Sequence, residues 1–584
     1  MEAAAAARDG WMAAAEHSAS GFQLAYKGLR YSPQILDDGE RTCVVFGHLI
    51  EGDRIAKPDL AAFDHIINDD VRLGALNGEF LIVHLNKRSG RLTCVADRFA
   101  SVQWHYAAAD GRFIGSFSFA DICDELSKRA RLRWDPVSAL EYLKFRRVHG
   151  ERTLVEDVRF LRAGCLVRFD QTGAQVHRYF TPRHETRSSS LNESGEALAA
   201  ALKLSVARKM SDGKRYGLFL SGGQDTRSVL AAAESKLACF TVGFHDQTRE
   251  ILRAQDLAKI KGCSHRAIVL PPNHFETIYN TAVLQNGGQY SVANIFTGLS
   301  DEVSDIDVGL CGTGLDYMFQ GMYMPAARVR VMGRALAWRR RKAVPPNVAE
   351  HYLAAYSSRL KFTGVDDYLS DAAGLNEAML ERLYAIEAEG RAVSDDTDVI
   401  WNHMFLADPS RHYSYPDNLG MRTDTELRTP AFDNDVYDLF QTMPMAHRFD
   451  RRAVRAALAR LNPAFLRVPS ANDDLPITSS AAKTYYQIKA ALERRWRGAP
   501  IKGGEFDRTW PTNEALLCGS ARFREESLAL AHSPAADLLP AIDFRKVGVM
   551  AAGWHKAQPP ERAPHAADFI WNVMGLAAFV SRYA

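Results

Sequence analysis

The sequence predicts a chain of two domains and mixed class: a layered antiparallel β domain, then a doubly wound parallel sheet of α/β type carrying extra helices. Three observations carry this expectation. From Gly21 to about Phe180, short β-branched and aromatic runs alternate with turn residues. Over residues 216–230 an apolar run breaks into a glycine turn that opens directly into a helical pattern. Over residues 308–316 a second apolar run breaks into another glycine turn. The 584 residues, 47% hydrophobic and 24% charged, suffice for a sizeable core and more than one domain, and the expected boundaries are 1–185 and 186–584.

Composition narrows the function classes. Lys and Arg number 72 against 70 Asp and Glu, a net charge of +2, so the overall balance calls for neither a nucleic-acid nor a membrane partner. The run Arg339-Arg340-Arg341-Lys342 after Trp338 reads as a solvated helix face. The eight cysteines are scattered without Cys-x-x-Cys spacing, which argues against a zinc knuckle or a disulfide framework. Glu2, Arg8, Asp9 and Glu16 interrupt any signal pattern around the alanine run at 3–7, and no apolar stretch approaches the roughly 20 residues of a membrane span. A cytoplasmic protein is expected, its oligomeric state open and a homodimer among the options.

Residues 1–20 read as frayed or loosely helical. The β domain follows, with strands expected at 42–46, 80–85, 92–96, 102–107, 112–116, 165–169 and 175–179, and hairpin-length turns at 86–90 and 170–173. Leu76-Asn77-Gly78-Glu79-Phe80, then a strand pair and Asp97-Arg98-Phe99-Ala100, resembles two segments of class II glutamine amidotransferase domains. Residues 152–164 are similar to the segment that closes this domain in asparagine synthetases. The resemblance implies an Ntn glutaminase-like fold with Asn77 and Gly78 at an oxyanion hole and Glu79 near the glutamine amine. It also exposes a departure. Such glutaminases use an N-terminal cysteine whose own amino group is the base; Glu2 stands there, and Cys43 lies inside an expected strand. The arginine that holds the glutamine carboxylate in the family has no counterpart. The fold is expected without glutaminase chemistry.

A polar linker over 181–193, containing Ser188-Ser189-Ser190, leads to helical periodicity from about Gly195 and then to the first glycine turn. Leu218, Phe219 and Leu220 read as a buried strand. Gly222 and Gly223 let the backbone turn sharply and offer N–H groups to an anion, helped by the helix N-terminus that follows. Ser221 can donate to a phosphate oxygen, and Asp225 can hold magnesium. This is neither Gly-x-x-x-x-Gly-Lys-Ser/Thr nor Gly-x-Gly-x-x-Gly. Ser221-Gly222-Gly223-Gln224-Asp225-Thr226 resembles instead the Ser-Gly-Gly-x-Asp-Ser loop of the ATP pyrophosphatase superfamily, which cleaves ATP between the α and β phosphates and adenylates a substrate.

A second strand is expected at 237–244, and Glu250, Ala254, Ala258, Gly262 and His265 then keep a spacing found in asparagine synthetases, where residues matching Val242 and Gly243 border the adenine. His265 itself reads as a surface residue. Gly312-Thr313-Gly314-Leu315-Asp316 resembles the family's second loop, whose aspartate completes the magnesium and pyrophosphate site. Thr313 and Tyr317 replace family glutamates, which argues against aspartate as substrate, and Cys311 reads as a small strand residue rather than a sulfur carrier. Asp417 to Met421 and Glu426 to Asp433 keep the register of a segment that lines the acceptor side in the family. Arg451, Arg452 and Arg455 are loose stand-ins for its pyrophosphate-binding basic residues, without an assigned role.

The resemblance therefore implies Asp225, Asp316 and Glu426 as catalytic residues. It places ATP at Ser221, Gly222, Gly223, Asp225, Thr226, Val242, Gly243, Gly312 and Gly314, and Mg2+ at Asp225 and Asp316. The implied reaction activates a carboxylate as its adenylate for attack by an amine nucleophile, the carboxylate belonging to a small molecule or a peptide. The alternatives are an inactive nucleotide-binding scaffold and a glutamine-dependent asparagine synthetase.

Overall fold

The computed structural model describes residues 15–19, 22–26, 33–321, 323–331, 333–357, 362–497 and 510–584. Glu2 and the alanine run at 3–7 lie outside them. Where a loose helix was expected near the N-terminus, Ala15–Ala19 pairs antiparallel with Phe22–Tyr26.

The first domain is built on a seven-stranded antiparallel sheet. Its order is Gly173–Arg178, Cys165–Asp170, Arg91–Ala96, Asn77–Asn86, Arg41–Glu51 and Gln34–Asp37, with Arg54–Ala56 folded back on Arg41–Glu51. Alternation with period two explains the layering. Val44, Phe46, Leu81, Val83 and Cys94 face a second, three-stranded sheet and meet its Tyr106 and Phe160, whereas Cys43, Val45, Ile82 and Val95 turn to the other side and pack with Phe63 and Leu73 of two short helices. Both faces are covered, so the strands read as continuous apolar runs.

Residues 181–189 carry no regular structure. The next helix begins at Leu191, four residues before the periodicity suggested, because Ser190 and Glu193 form a capping box. The second domain then lays five parallel strands in the order Ser264–Val269, Ala238–Gly243, Tyr216–Phe219, Val308–Leu310 and Glu426–Arg428. Leu218, Cys239 and Leu310 enter one apolar cluster, and Phe219, Phe240, Val242 and Leu427 another, the mark of a sheet covered on both faces. The chain runs outward from Tyr216–Phe219 to one edge, returns, and continues to the other edge. The order reverses between Tyr216–Phe219 and Val308–Leu310, and the crevice beyond the carboxyl ends of two such strands is where open sheets of this kind take ligands.

One further element differs from expectation. Arg339, Arg340 and Arg341 lie in the strand Arg334–Arg341, which pairs with Ala326–Val331 as a two-stranded ribbon rather than forming a helix face. The C-terminal region is helical and includes the helix Ala566–Val580, which is buried around its circumference and stacks Phe579 on Phe119 of the first domain.

Candidate active site

The first loop leaves Tyr216–Phe219 and enters the helix Asp225–Ala232. Its turn is closed by internal bonds: Ser221 N donates to Thr226 Oγ1 at 2.9 Å and Gly223 N to Ser221 Oγ at 3.2 Å. Gly222 N donates to Glu250 Oε1 at 2.7 Å, and burial raises the Glu250 carboxyl against the pull of that bond. A Cβ on Gly222 would lie 2.6 Å from the Ala471 methyl, so only glycine fits beneath that segment. Behind the loop, the buried Arg227 guanidinium donates to the carbonyls of Gly222 (3.0 Å), Gly223 (3.2 Å), Phe465 (2.8 Å), Val468 (2.7 Å) and Pro469 (3.0 Å). Burial lowers its pKa to about 10, yet it stays cationic at neutral pH and ties the loop to residues 465–469.

The second loop leaves Val308–Leu310 and starts the helix Leu315–Phe319. Here too the close approach requires glycine: a Cβ on Gly312 would meet Asp225 Cβ and Thr226 N, each at 2.7 Å, and one on Gly314 would meet the Ala431 methyl at 2.8 Å. The loops touch, and they bring Asp225 and Asp316 into one crevice. Burial and then the neighbouring Asp316 charge push the Asp225 carboxyl well above its ordinary range, opposed by the Arg451 charge and a hydrogen bond from Gln320 Nε2. Two carboxylates that disfavour each other's ionisation fit a divalent cation. Mg2+ is typically held by one or two carboxylates with phosphate and water completing the shell, so no larger cage is needed; among the described residues no group of three or more His, Cys, Asp or Glu could hold a metal.

The remaining expected residues divide. Gly243 closes the neighbouring strand, its carbonyl accepting from Leu270 N at 2.8 Å, while the Val242 side chain is core. Thr226 is spent inside the loop, bonded to Ser221. Glu426 is a correction. It begins its strand opposite Val308, which itself faces Tyr216, at the edge of the sheet remote from both loops. There it is 5% exposed and accepts from Lys214 Nζ at 2.5 Å and Arg428 Nε at 2.8 Å, with Arg428 also bound to Asp212. Glu426 is an ion-pair residue of the fold and not part of the crevice.

Sequence reasoning left three participants unassigned. Arg451, whose charge acts on Asp225, follows Asp450, and both adopt left-handed backbone with φ of 61° and 56°, a strained arrangement typical of sites where geometry is imposed. Its signal was the weak match to the family's basic segment. Glu250 lay in a quoted motif, and Arg227 sits one residue past the loop match. Beside the second loop, Thr313 Oγ1 donates to Asn418 Oδ1 at 2.7 Å, and Tyr317 is buried against the His412 ring, with centroids 4.5 Å apart. Beside Asn418, burial raises the Asp417 carboxyl to about 7.

The segment expected to surround glutamine is committed elsewhere. Glu79, at the seam between the domains, accepts from Lys209 Nζ (2.9 Å), Arg422 (3.1 Å) and Thr429 N (2.6 Å), and the Lys209 and Glu79 side chains are 0% and 1% exposed. Asn77 Nδ2 donates to Asp433 at 3.2 Å and its Oδ1 accepts from Asn434 N at 3.0 Å. Burial, followed by the charges of Lys209, Arg428 and Arg422, holds neighbouring His48 neutral.

Residues 197–467 match the asparagine synthase family model. Relatives from Mycobacterium bovis and from two strains of Mycobacterium tuberculosis, provisionally named asparagine synthetase (glutamine-hydrolyzing), are each 25% identical over 359 residues, 55% of this chain and 54% of theirs. The chain thus matches about half the length of these curated relatives. Among solved structures it is similar to an allosteric regulatory enzyme of purine biosynthesis, with 7% identity over 41% of this chain and 62% of that one and a TM-score of 0.19. It is also similar to glutamine phosphoribosylpyrophosphate amidotransferase from B. subtilis, with 10% identity over 42% and 52% and a TM-score of 0.16.

Proposed function

We propose that this chain, whose residues 197–467 match the asparagine synthase family model, is an ATP-dependent amide-forming ligase without glutaminase activity of its own. In the reaction, a substrate carboxylate oxygen attacks the α-phosphorus of ATP, pyrophosphate leaves, and an acyl-adenylate results. A nitrogen nucleophile then attacks the acyl carbon, expelling AMP and losing a proton. The observation that carries the reading is the contact of the two strand-end loops, Gly312 against Asp225 and Thr226, at the reversal point of the sheet. Asp225 and Asp316 would hold Mg2+, which when bound neutralises charge on the departing pyrophosphate. Arg451 adds a cation on the same side, and Arg227 keeps the loop carbonyls turned back so that the start of the loop helix faces the anion. The absence of glutaminase chemistry is supported by the commitment of Asn77 and Glu79 to the domain seam and by the burial of Cys43, Cys94, Cys123 and Cys165.

A non-catalytic nucleotide-binding scaffold is the second reading, favoured by one observation: Glu250 already occupies the Gly222 N–H that a phosphate would use. Exchange of labelled pyrophosphate into ATP separates the two. Exchange with at least one class of carboxylate, lost in Asp316→Asn, is expected; thermal protection by ATP without exchange for any carboxylate supports the scaffold, and glutamate release from glutamine refutes the lack of glutaminase activity.

A further inference from the structure

We propose that the face built by the ribbon Ala326–Val331 and Arg334–Arg341 together with the helix Ser480–Arg497 docks the protein onto an anionic lipid bilayer. From Ala326 to Lys342 the sequence contains no acidic residue. Arg340 and Lys342, which follow Trp338 at the alternating positions and so share its side of the ribbon, are exposed, and the Arg340 guanidinium lies 5.2 Å from the Trp338 ring centre, leaving that indole 38% exposed beside it. Val331, near the ribbon's turn, is 52% exposed.

The helix packs on the ribbon and buries Ser480 and Thr484, but its outer side carries Tyr485 (63% exposed), Ile488 (48%) and Leu492 (59%). These recur at i, i+3 and i+7 and therefore form one stripe, flanked by exposed Lys489. An apolar row bordered by cationic side chains is the composition of helices that lie in the headgroup region of anionic membranes.

Charge and shape select this occupant. A nucleic acid would use the arginines and aromatic rings but offers nothing to Ile488, Leu492 and Val331. A protein partner would need a groove matched to a projecting ribbon and a convex helix, whereas a bilayer accommodates both. No helix among the described residues is long and apolar enough to cross a membrane, which leaves peripheral association. The face also adjoins the crevice. Arg339 N donates to Ser480 Oγ at 3.3 Å and Ser480 N to Asp450 Oδ2 at 2.9 Å, one residue from Arg451.

The test is co-sedimentation of the full chain with vesicles of pure phosphatidylcholine and of phosphatidylcholine with about 30% phosphatidylglycerol. Binding to the anionic vesicles alone, weakening with salt, is expected. Arg340→Glu with Lys342→Glu should lower the partition coefficient at least about 30-fold, from roughly fivefold per cation removed near the surface. Ile488→Asp with Leu492→Asp should lower it comparably while thermal melting stays unchanged; Tyr485→Ser serves if that double variant melts early. Failure to bind anionic vesicles at low salt overturns the proposal. So does equal binding to both vesicle types, nucleic-acid binding that only the charge-reversal variant loses, or self-association without vesicle binding that the aspartate variant abolishes.

Discussion

Glu79→Gln probes the seam that joins the domains. The substitution keeps the shape and an acceptor for Thr429 N but removes the only full negative charge, among the described residues, within hydrogen-bonding distance of Lys209, which is 0% exposed and otherwise donates to Phe432 O at 3.1 Å. Breaking a buried pair by deleting one partner costs about 3–5 kcal/mol, because the remaining charge is left desolvated. The expected fall in Tm depends on what melts together. A chain of 584 residues unfolding as one unit has a transition entropy on the order of 1.2 kcal/mol/K, and a loss of about 4 kcal/mol then lowers Tm by roughly 3 °C. If the first domain melts separately, its smaller entropy makes the fall roughly 10 °C. Differential scanning calorimetry reads both the shift and the number of transitions. Adding Lys209→Met removes the more buried of the two cations that lose the carboxylate and should recover part of the loss, giving a coupling term in a double-mutant cycle. A Glu79→Gln protein that melts with the wild type refutes the view that this ion cluster holds the domains together.

Two further outcomes follow from single groups. Arg227→Met leaves five carbonyls without their donor and should reduce kcat/KM for ATP in pyrophosphate exchange about 100-fold, with Arg227→Lys, which has three donors, lying between; equal loss in both would point to guanidinium geometry rather than donor count. Asp417 titrates near 7 in the folded chain against about 3.9 unfolded, so the unfolded state releases its proton first as pH rises, and stability falls across that window by up to about 1.4 kcal/mol per unit. Asp417→Asn should therefore melt higher than wild type at pH 8 and no higher at pH 4, and a gain that persists at pH 4 removes titration as its cause.

The sheets were legible because their signals are local. β-branched and aromatic runs such as 42–46 and 92–96 sit within the strands Arg41–Glu51 and Arg91–Ala96, and the glycine turns mark the ends of the two strands that flank the crevice. What escaped depends on distant partners. Nothing near Arg227 in sequence announces the carbonyls of 465–469, more than two hundred residues on. The arginine run at 339–341 has no periodicity of its own, and pairing with Ala326–Val331 makes it a strand. Glu426 was misplaced for a related reason: spacing within a motif says that residues travel together but not which end of a parallel strand they occupy, and here register against Val308 decides it.

That error exposes what the matched segments do. The block at 76–80 and the block at 426–433 were read as belonging to two separate active sites, yet they bind each other. Glu79 takes Thr429 N, Asn77 takes Asp433 and Asn434, and Arg422 and Lys209 converge on Glu79, while Arg428 turns to Lys209 O and Asp212 to fix the strand from below. A polar seam of this kind, buried at Glu79 and Lys209, specifies one docking of the domains more strictly than apolar contact would, since a shifted arrangement leaves desolvated charge. The first domain thereby has a structural part of its own: its central strand supplies the anion against which the last strand of the parallel sheet is set, and that sheet positions the loops bearing Asp225 and Asp316. Cutting the chain in the 181–189 linker should accordingly yield a second domain in which Lys209 and Arg422 lack the Glu79 carboxylate, with little exchange activity, and supplying the first domain as a separate polypeptide should restore it. An isolated second domain as active and as stable as the whole chain would show that the seam serves only the first domain.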